Sequence, residues 1–408
     1  VLSTQTAAPS GVVPRPRALP GGLAMTGAAV AFASMYLAAG ALTPLLVAYK
    51  QQWGFPPEMI NVAFAVYAIG FLAAALILGS LSDYIGRRPV LIGALIVQLA
   101  SSVLFLVGTD VTWVIAGRIV QGIAGGAATS AFTATLVEFA PAGRKRIGTV
   151  LGSIGLTGGL ALGSLLAGLA IQLTPAANTI VFVVLIVLTI LGGVTVIASP
   201  ETVTCSPGWR RSLTPRVSIP SSARKEFYAA APVVAAVWML AGLSGGLAPN
   251  MVRSIFYLDS PFLGGFAGFV APAMAAGIGL VFAKVPSRRA MLIGIYASIV
   301  GAAGIIGGVF AGSLTIMILG QAVAGIGFGA SFTAALQLLI PLVTSHQRAG
   351  IVASIYVVSY LAFGLPIVSE GQLVEPLGEI PAVVCYTALT ILLALLSLVA
   401  QARLTRRA

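Results

Sequence analysis

Arg118 stands in the middle of an apolar run, 112–137, inside the pattern Gly117-Arg118-Ile-Val-Gln121-Gly122. A guanidinium there costs about 3 kcal/mol even on lenient insertion scales, so it must face other protein groups and find acceptors. The bonding of carbonyls on an interrupted neighbouring helix would meet that need. Four carboxylates at the edges of apolar runs could pair with cations or carry protons. They are Asp83 in the stretch Gly79-Ser80-Leu81-Ser82-Asp83-Tyr84-Ile85-Gly86-Arg87-Arg88-Pro89, Glu138 after the run that holds Arg118, Asp259 before the run that starts at 261, and Glu370 after Pro366. Hydrolytic chemistry has little support. Gly242-x-Ser244-x-Gly246 has nucleophile-elbow spacing, but it lies within an apolar run, and the sole histidine, His346, falls in a polar segment. Gly325-x-Gly327-x-x-Ala330 lacks a preceding strand, and no Walker pattern occurs. Cys205 and Cys385 predict no disulfide. The expectation is no cofactor, no metal and no enzyme.

The elements that must position these residues are membrane helices. With 58% hydrophobic and 8% charged residues the chain is far from a soluble domain, in which charged residues make up about a quarter. Twelve apolar runs are long enough to cross a bilayer. They lie near 23–49, 59–79, 89–108, 112–137, 147–170 and 178–198 (spans 1 to 6), then 227–250, 261–283, 290–311, 314–340, 349–369 and 380–401 (spans 7 to 12). The net charge of +12 is placed for lipid and not for nucleic acid. Arg15, Arg17, Arg87, Arg88, Arg144 to Arg146, the 210–225 cluster, Lys284, Arg288, Arg289, Arg348, Arg403, Arg406 and Arg407 fall on one side, against Lys50 and Arg253 on the other. That asymmetry predicts an inner (plasma) membrane protein with both termini in the cytoplasm. Span 1 is too long for a signal-peptide core.

The chain repeats itself at an offset of about two hundred residues. Arg87-Arg88-Pro-Val-Leu-Ile-Gly93 returns as Arg288-Arg289-Ala-Met-Leu-Ile-Gly294, and Gly117-Arg118-Ile-Val-Gln121-Gly122 as Gly320-Gln321-Ala-Val-Ala324-Gly325. Gly40 to Pro44 and Gly245 to Pro249 keep nearly the same register. The expected organisation is a disordered cytoplasmic tail (1–22), an N-terminal six-helix bundle (23–198), a cytoplasmic linker (199–225), a C-terminal six-helix bundle (226–401) and a short tail (402–408). In such parallel repeats the substrate site lies between the halves near the bilayer midplane.

The spacing G-x-L-x-D-x-x-G-R-R at 79–88 resembles the signature of the major facilitator superfamily at its loop between helices 2 and 3. The resemblance implies an all-α membrane protein of twelve transmembrane helices in two six-helix pseudo-repeats, the major facilitator fold. It implies that Asp83, Gly86, Arg87, Arg88, Glu138 and Arg144 form a gating latch, with Arg87 pairing Glu138 and Asp83 reaching the start of span 11 at 348–351. Tyr84 departs from the usual basic residue, and Lys284 and Pro286 leave the second-half copy degenerate. Arg118-x-x-Gln121-Gly122 is similar to the helix-4 motif of proton-coupled members. Gly159-x-x-x-Gly163-Ser164-x-x-Ala167-Gly168 is similar to the exporters' motif, with Ser164 and Ala167 replacing a proline and a glycine. Small residues so spaced also pack helices closely on their own account.

The resemblance draws the cavity wall from spans 1, 2, 4, 5, 7, 8, 10 and 11. Its polar and aromatic residues there are Tyr36, Tyr67, Gln121, Thr129, Thr157, Trp238, Asn250, Gln337, Tyr356 and Tyr360. An apolar wall with few polar anchors suits amphipathic ligands. The implied function is gradient-driven export of small amphipathic compounds by alternating access, as in the drug:proton antiporter branch, by a monomer in the bilayer. Proton coupling is expected of Arg118 and Glu370, with Asp83 as inner partner, since spans 1, 2, 7 and 10 carry no central carboxylate. The alternatives are a facilitator or importer of a small metabolite and, from another class, an intramembrane hydrolase.

Overall fold

The computed structural model describes residues 19–405 other than 216, 283 and 345. The expected tails therefore lie largely outside the described residues, as do Arg15, Arg17, Arg216, Arg406 and Arg407. Among the described residues the secondary structure is helical throughout. Twelve helices among the described residues are long and apolar enough to cross a membrane. They are α1 (Gly21–Trp53), α2 (Glu58–Leu78), α3 (Arg87–Val107), α4 (Val111–Phe139), α5 (Lys145–Leu173) and α6 (Ala177–Ala198). The second set is α7 (Arg224–Ser254), α8 (Pro261–Phe282), α9 (Ser287–Phe310), α10 (Leu314–Leu342), α11 (Arg348–Leu377) and α12 (Glu379–Leu404). Their exposed apolar side chains, such as Ile96, Val194 and Leu319, form an exterior fit for lipid tails.

Neighbours in the first six helices recur in the last six. The pairs α2–α4, α3–α4, α1–α5, α1–α6 and α3–α6 are matched by α8–α10, α9–α10, α7–α11, α7–α12 and α9–α12. The two sets meet chiefly where α2 packs on α11 and α5 on α8. That second contact is a backbone approach. A Cβ on Gly168 would lie 2.7 Å from the Pro261 carbonyl oxygen and 2.8 Å from Gly265 Cα, and one on Gly163 would lie 2.1 Å from the Leu37 carbonyl oxygen of α1. Gly159 likewise fits against Tyr36 and Ala33 of α1. Small residues thus bring α5 against α1 and α8 at once.

Two helices leave ideal α geometry where they border the centre of the molecule. Residues Ile154–Gly158 of α5 and Leu243–Leu247 of α7 form single π-helical turns. Such turns widen a helix locally and often accompany functional sites. α11 also departs from expectation, continuing through Pro366 and Pro376 to Leu377 instead of ending near 369. A proline in a membrane helix is tolerated because neighbours and local adjustment re-satisfy the freed carbonyl.

Candidate functional site

The loop between α2 and α3 is a short helical turn, Ser82–Ile85, closed by Gly86 at φ 98°. That backbone conformation favours glycine. A Cβ on Gly86 would also sit 2.7 Å from Glu201 Oε2. Glu201, at the start of the segment joining α6 to α7, accepts from the backbone N–H groups of Arg87 at 2.8 Å and Arg88 at 2.9 Å, satisfying orphan donors at the start of α3. Arg87 gathers the rest of the loop. Its Nη1 donates to Asp83 Oδ1 at 2.5 Å and Ser82 Oγ at 2.6 Å, and its Nη2 donates to Glu138 Oε1 at 3.1 Å. Thr202 Oγ1 donates to Glu138 Oε2 at 2.5 Å, and Arg88 Nη2 donates to the Ile197 carbonyl.

Asp83 is more than half exposed and bonded to Arg87, four residues on, instead of reaching the start of α11. The segment after α6 lies along this loop, with Ser206 N donating to the Tyr84 carbonyl. Lys145 closes the turn after α4, donating to the Glu138 and Ala140 carbonyls, while Arg144 is exposed. The same segment then reaches the other half. Ser80 Oγ donates to the Ser212 carbonyl on one side, and Ser354 Oγ of α11 donates to the Ser218 carbonyl on the other. In the second half the Arg87 counterpart, Arg288, pairs with Glu226 of α7 at 2.8 Å and bonds Gln401 of α12.

Between the halves lies a cavity of about 830 Å³, its openings included, walled by α1, α2, α4, α5, α7, α8, α10 and α11. Arg118 is 1% exposed and lines it. Its Nε donates to the Ala63 carbonyl of α2 at 3.1 Å and its Nη1 to Gln121 Oε1 at 2.8 Å. The guanidinium carbon lies 4.1 Å from the Tyr67 ring centroid and 5.1 Å from that of Phe64, within cation–π range. None of these partners is a carboxylate.

Of the polar and aromatic residues expected in the wall, Tyr67, Thr157 and Trp238 line it. Tyr36 and Thr129 instead satisfy each other across α1 and α4 at 2.7 Å, and Gln121 lies behind Arg118. Tyr356 and Tyr360 belong to an aromatic layer nearer the face that carries the α2–α3 loop, where Tyr360 stacks on Phe71 at 4.2 Å and approaches Trp238 at 4.8 Å. Gln337 is at that face, accepting from Ser287 Oγ. Asn250 is at the opposite one. There a second cavity, about 590 Å³, holds Glu370, Asn61, Asn250 and Glu379. Glu370 is 3% exposed, and Oε2 accepts from Asn61 Nδ2 at 3.2 Å, while Asn250 donates to Glu379 at 3.0 Å. Because α11 runs on to Leu377, Glu370 lies inside the helix and not at its end.

A family model of the Major Facilitator Superfamily matches residues 28–369. The chain belongs to the Major Facilitator Superfamily. This superfamily member is 39% identical over 92 residues to a triacylglyceride transporter of Mycobacteroides abscessus, covering 22% of this chain and 17% of that protein. It is 36% identical over 67 residues to multidrug resistance protein MdtL of Citrobacter koseri, covering 16% of this chain and 17% of that one. The chain thus aligns with only 17% of the length of either relative. A crystal structure of a mutant peptide transporter POT shares the fold, with a TM-score of 0.76, 95% of both chains covered and 14% identity. Among the described residues the chain thus has twelve helices able to span a membrane, arranged in the fold of this superfamily.

The elbow-like Ser244 lies in the interior. It is fully buried in the π turn of α7 beside the Ala267 carbonyl, whereas His346 is exposed before α11. The residues missed by sequence reasoning in this superfamily member are of two kinds. Glu201, Asn61 and Glu226 are polar partners supplied by other segments, and no motif pointed to them. Phe64, Phe328 and Phe363 line the cavity but read in sequence as ordinary apolar residues of a span.

Proposed function

We propose that this transporter exports small amphipathic compounds by alternating access, in exchange for protons, from an inner (plasma) membrane in which both termini are cytoplasmic. The observation that carries the reading is the central cavity: eight helices from both halves enclose an apolar wall with one buried guanidinium. Residues 23–198 and 226–401 act as the two moving bundles, joined by 199–225. Glu370, with Asn61 beside it, is the proton-carrying group, and Asp83 with Gly86, Arg87, Arg88, Glu138 and Arg144 forms the latch. The basic residues at the α2–α3 loop support a cytoplasmic position for that face. The partial relatives named for multidrug resistance support export, and the π turns beside the cavity supply helices able to change shape.

The test is flux of a dye or amphipathic drug in proteoliposomes under an imposed pH gradient of either sign. Uphill export that reverses with the gradient supports the reading. Flux that ignores the gradient makes the protein a facilitator.

A further inference from the structure

Two side chains that line the central cavity, Arg118 and Trp238, hold N–H donors without an acceptor. Arg118 uses Nε and Nη1 within the protein, and its Nη2 bonds nothing among the described residues. Gln121 accepts from Arg118 through Oε1, which leaves its buried Nε2 unpartnered. Trp238, in the wall, has a buried Nε1 without an acceptor. Buried donors left unpaired are expensive, which implies that something completes them. Glu370, the nearest thing to a buried anion in the fold, lies in the other cavity, with Asn61 as its partner.

A cationic ligand would meet a like charge in a low-dielectric site, with the Tyr67 and Phe64 faces already occupied by Arg118. A neutral apolar ligand would leave Arg118 Nη2 and Trp238 Nε1 unsatisfied. We infer that the central cavity takes amphipathic acids: ligands with an aromatic or aliphatic body and a carboxylate or similar oxyanion that pairs with Arg118. The inference rests on the central cavity being the substrate site, and narrows its occupant from amphipathic compounds in general to lipophilic anions. The guanidinium's planar fork suits a carboxylate, offering Nη2 while Nε and Nη1 hold it in place.

The experiment is direct binding to the full chain purified in neutral detergent, by calorimetry, of three probes of one shape: 2-naphthoate, 2-naphthamide and 2-naphthylmethylammonium. The expected result is binding of the carboxylate at least about tenfold tighter than the other two, as a charge-assisted hydrogen bond provides. The Arg118→Gln variant should lose that preference while still binding the amide. Should Arg118→Gln not fold, Trp238→Phe keeps the ring and removes one donor, and is expected to weaken carboxylate binding several-fold and amide binding less. Equal or tighter binding of the ammonium, a carboxylate preference that survives in either variant unchanged, or no carboxylate binding up to about 1 mM overturns the inference. These outcomes concern equilibrium binding alone. A failure of export or proton coupling in vesicles would sink the transport reading and leave the binding preference standing.

Discussion

Asn61 of α2 and Glu370 of α11 meet through a 3.2 Å hydrogen bond that joins the two halves of the molecule on the side away from the α2–α3 loop. A neutral glutamine at 370 can keep that bond but cannot load or release a proton. Glu370→Gln is therefore expected to retain substrate exchange without a gradient and to lose uphill transport. Both are measured in the same proteoliposomes, and unchanged uphill transport would remove Glu370 from the coupling role.

Arg118→Ala should lower transport by more than about tenfold, since it strips two charge-assisted bonds and a cation–π contact from the cavity wall. Arg118→Lys should recover only part of the rate. A compact ammonium cannot at once reach the Ala63 carbonyl and Gln121 Oε1 and lie over Tyr67. Initial rates at matched protein levels decide this, and a fully active lysine variant would reduce Arg118 to a generic positive charge.

Glu201→Ala removes the acceptor for two backbone N–H groups at the start of α3. A lost cap of this kind costs about 1 kcal/mol, so the thermal midpoint of the purified protein should fall measurably. Glu201→Gln, which keeps one acceptor oxygen, should fall less.

Asp83→Asn leaves a side chain that can still accept from Arg87 but carries no charge. Reduced initial transport with normal insertion and thermal stability is the expected outcome. Wild-type rates would end the latch assignment.

Gly168→Val places side-chain atoms against the backbone of Pro261 and Gly265, which cannot give way as a flexible side chain would. Loss of folded yield in size-exclusion profiles is expected. Gly93→Ala in α3 meets nothing within 4 Å and should leave yield unchanged or slightly raised.

Much of this architecture was legible because membrane helices announce themselves. Runs such as 178–198 can satisfy their backbone in lipid only as helices, and the repeat around Arg87 and Arg288 pairs the two halves before any contact is known. Arg118 was legible for the same reason, as a charge with no business facing lipid. The capping by Glu201 was not, since its partners are backbone N–H groups that leave no mark on side-chain pattern. The second-half pair was not legible either: that copy of the loop is degenerate at Lys284 and Pro286, and the partner of Arg288 is Glu226 of α7. Tyr36 and Thr129 had the composition of a binding site, yet their hydroxyls satisfy each other, which only the helix packing reveals.

The segment after α6 is bonded to both halves, at the Ser212 carbonyl on the Ser80 side and at the Ser218 carbonyl on the α11 side. Six residue steps separate those points, and six steps at full extension reach about 20 Å. The segment is thus a leash of fixed length across this face. While both ends hold, the bundles can part here no farther than that span, and any wider opening must first let one of the two serine contacts go.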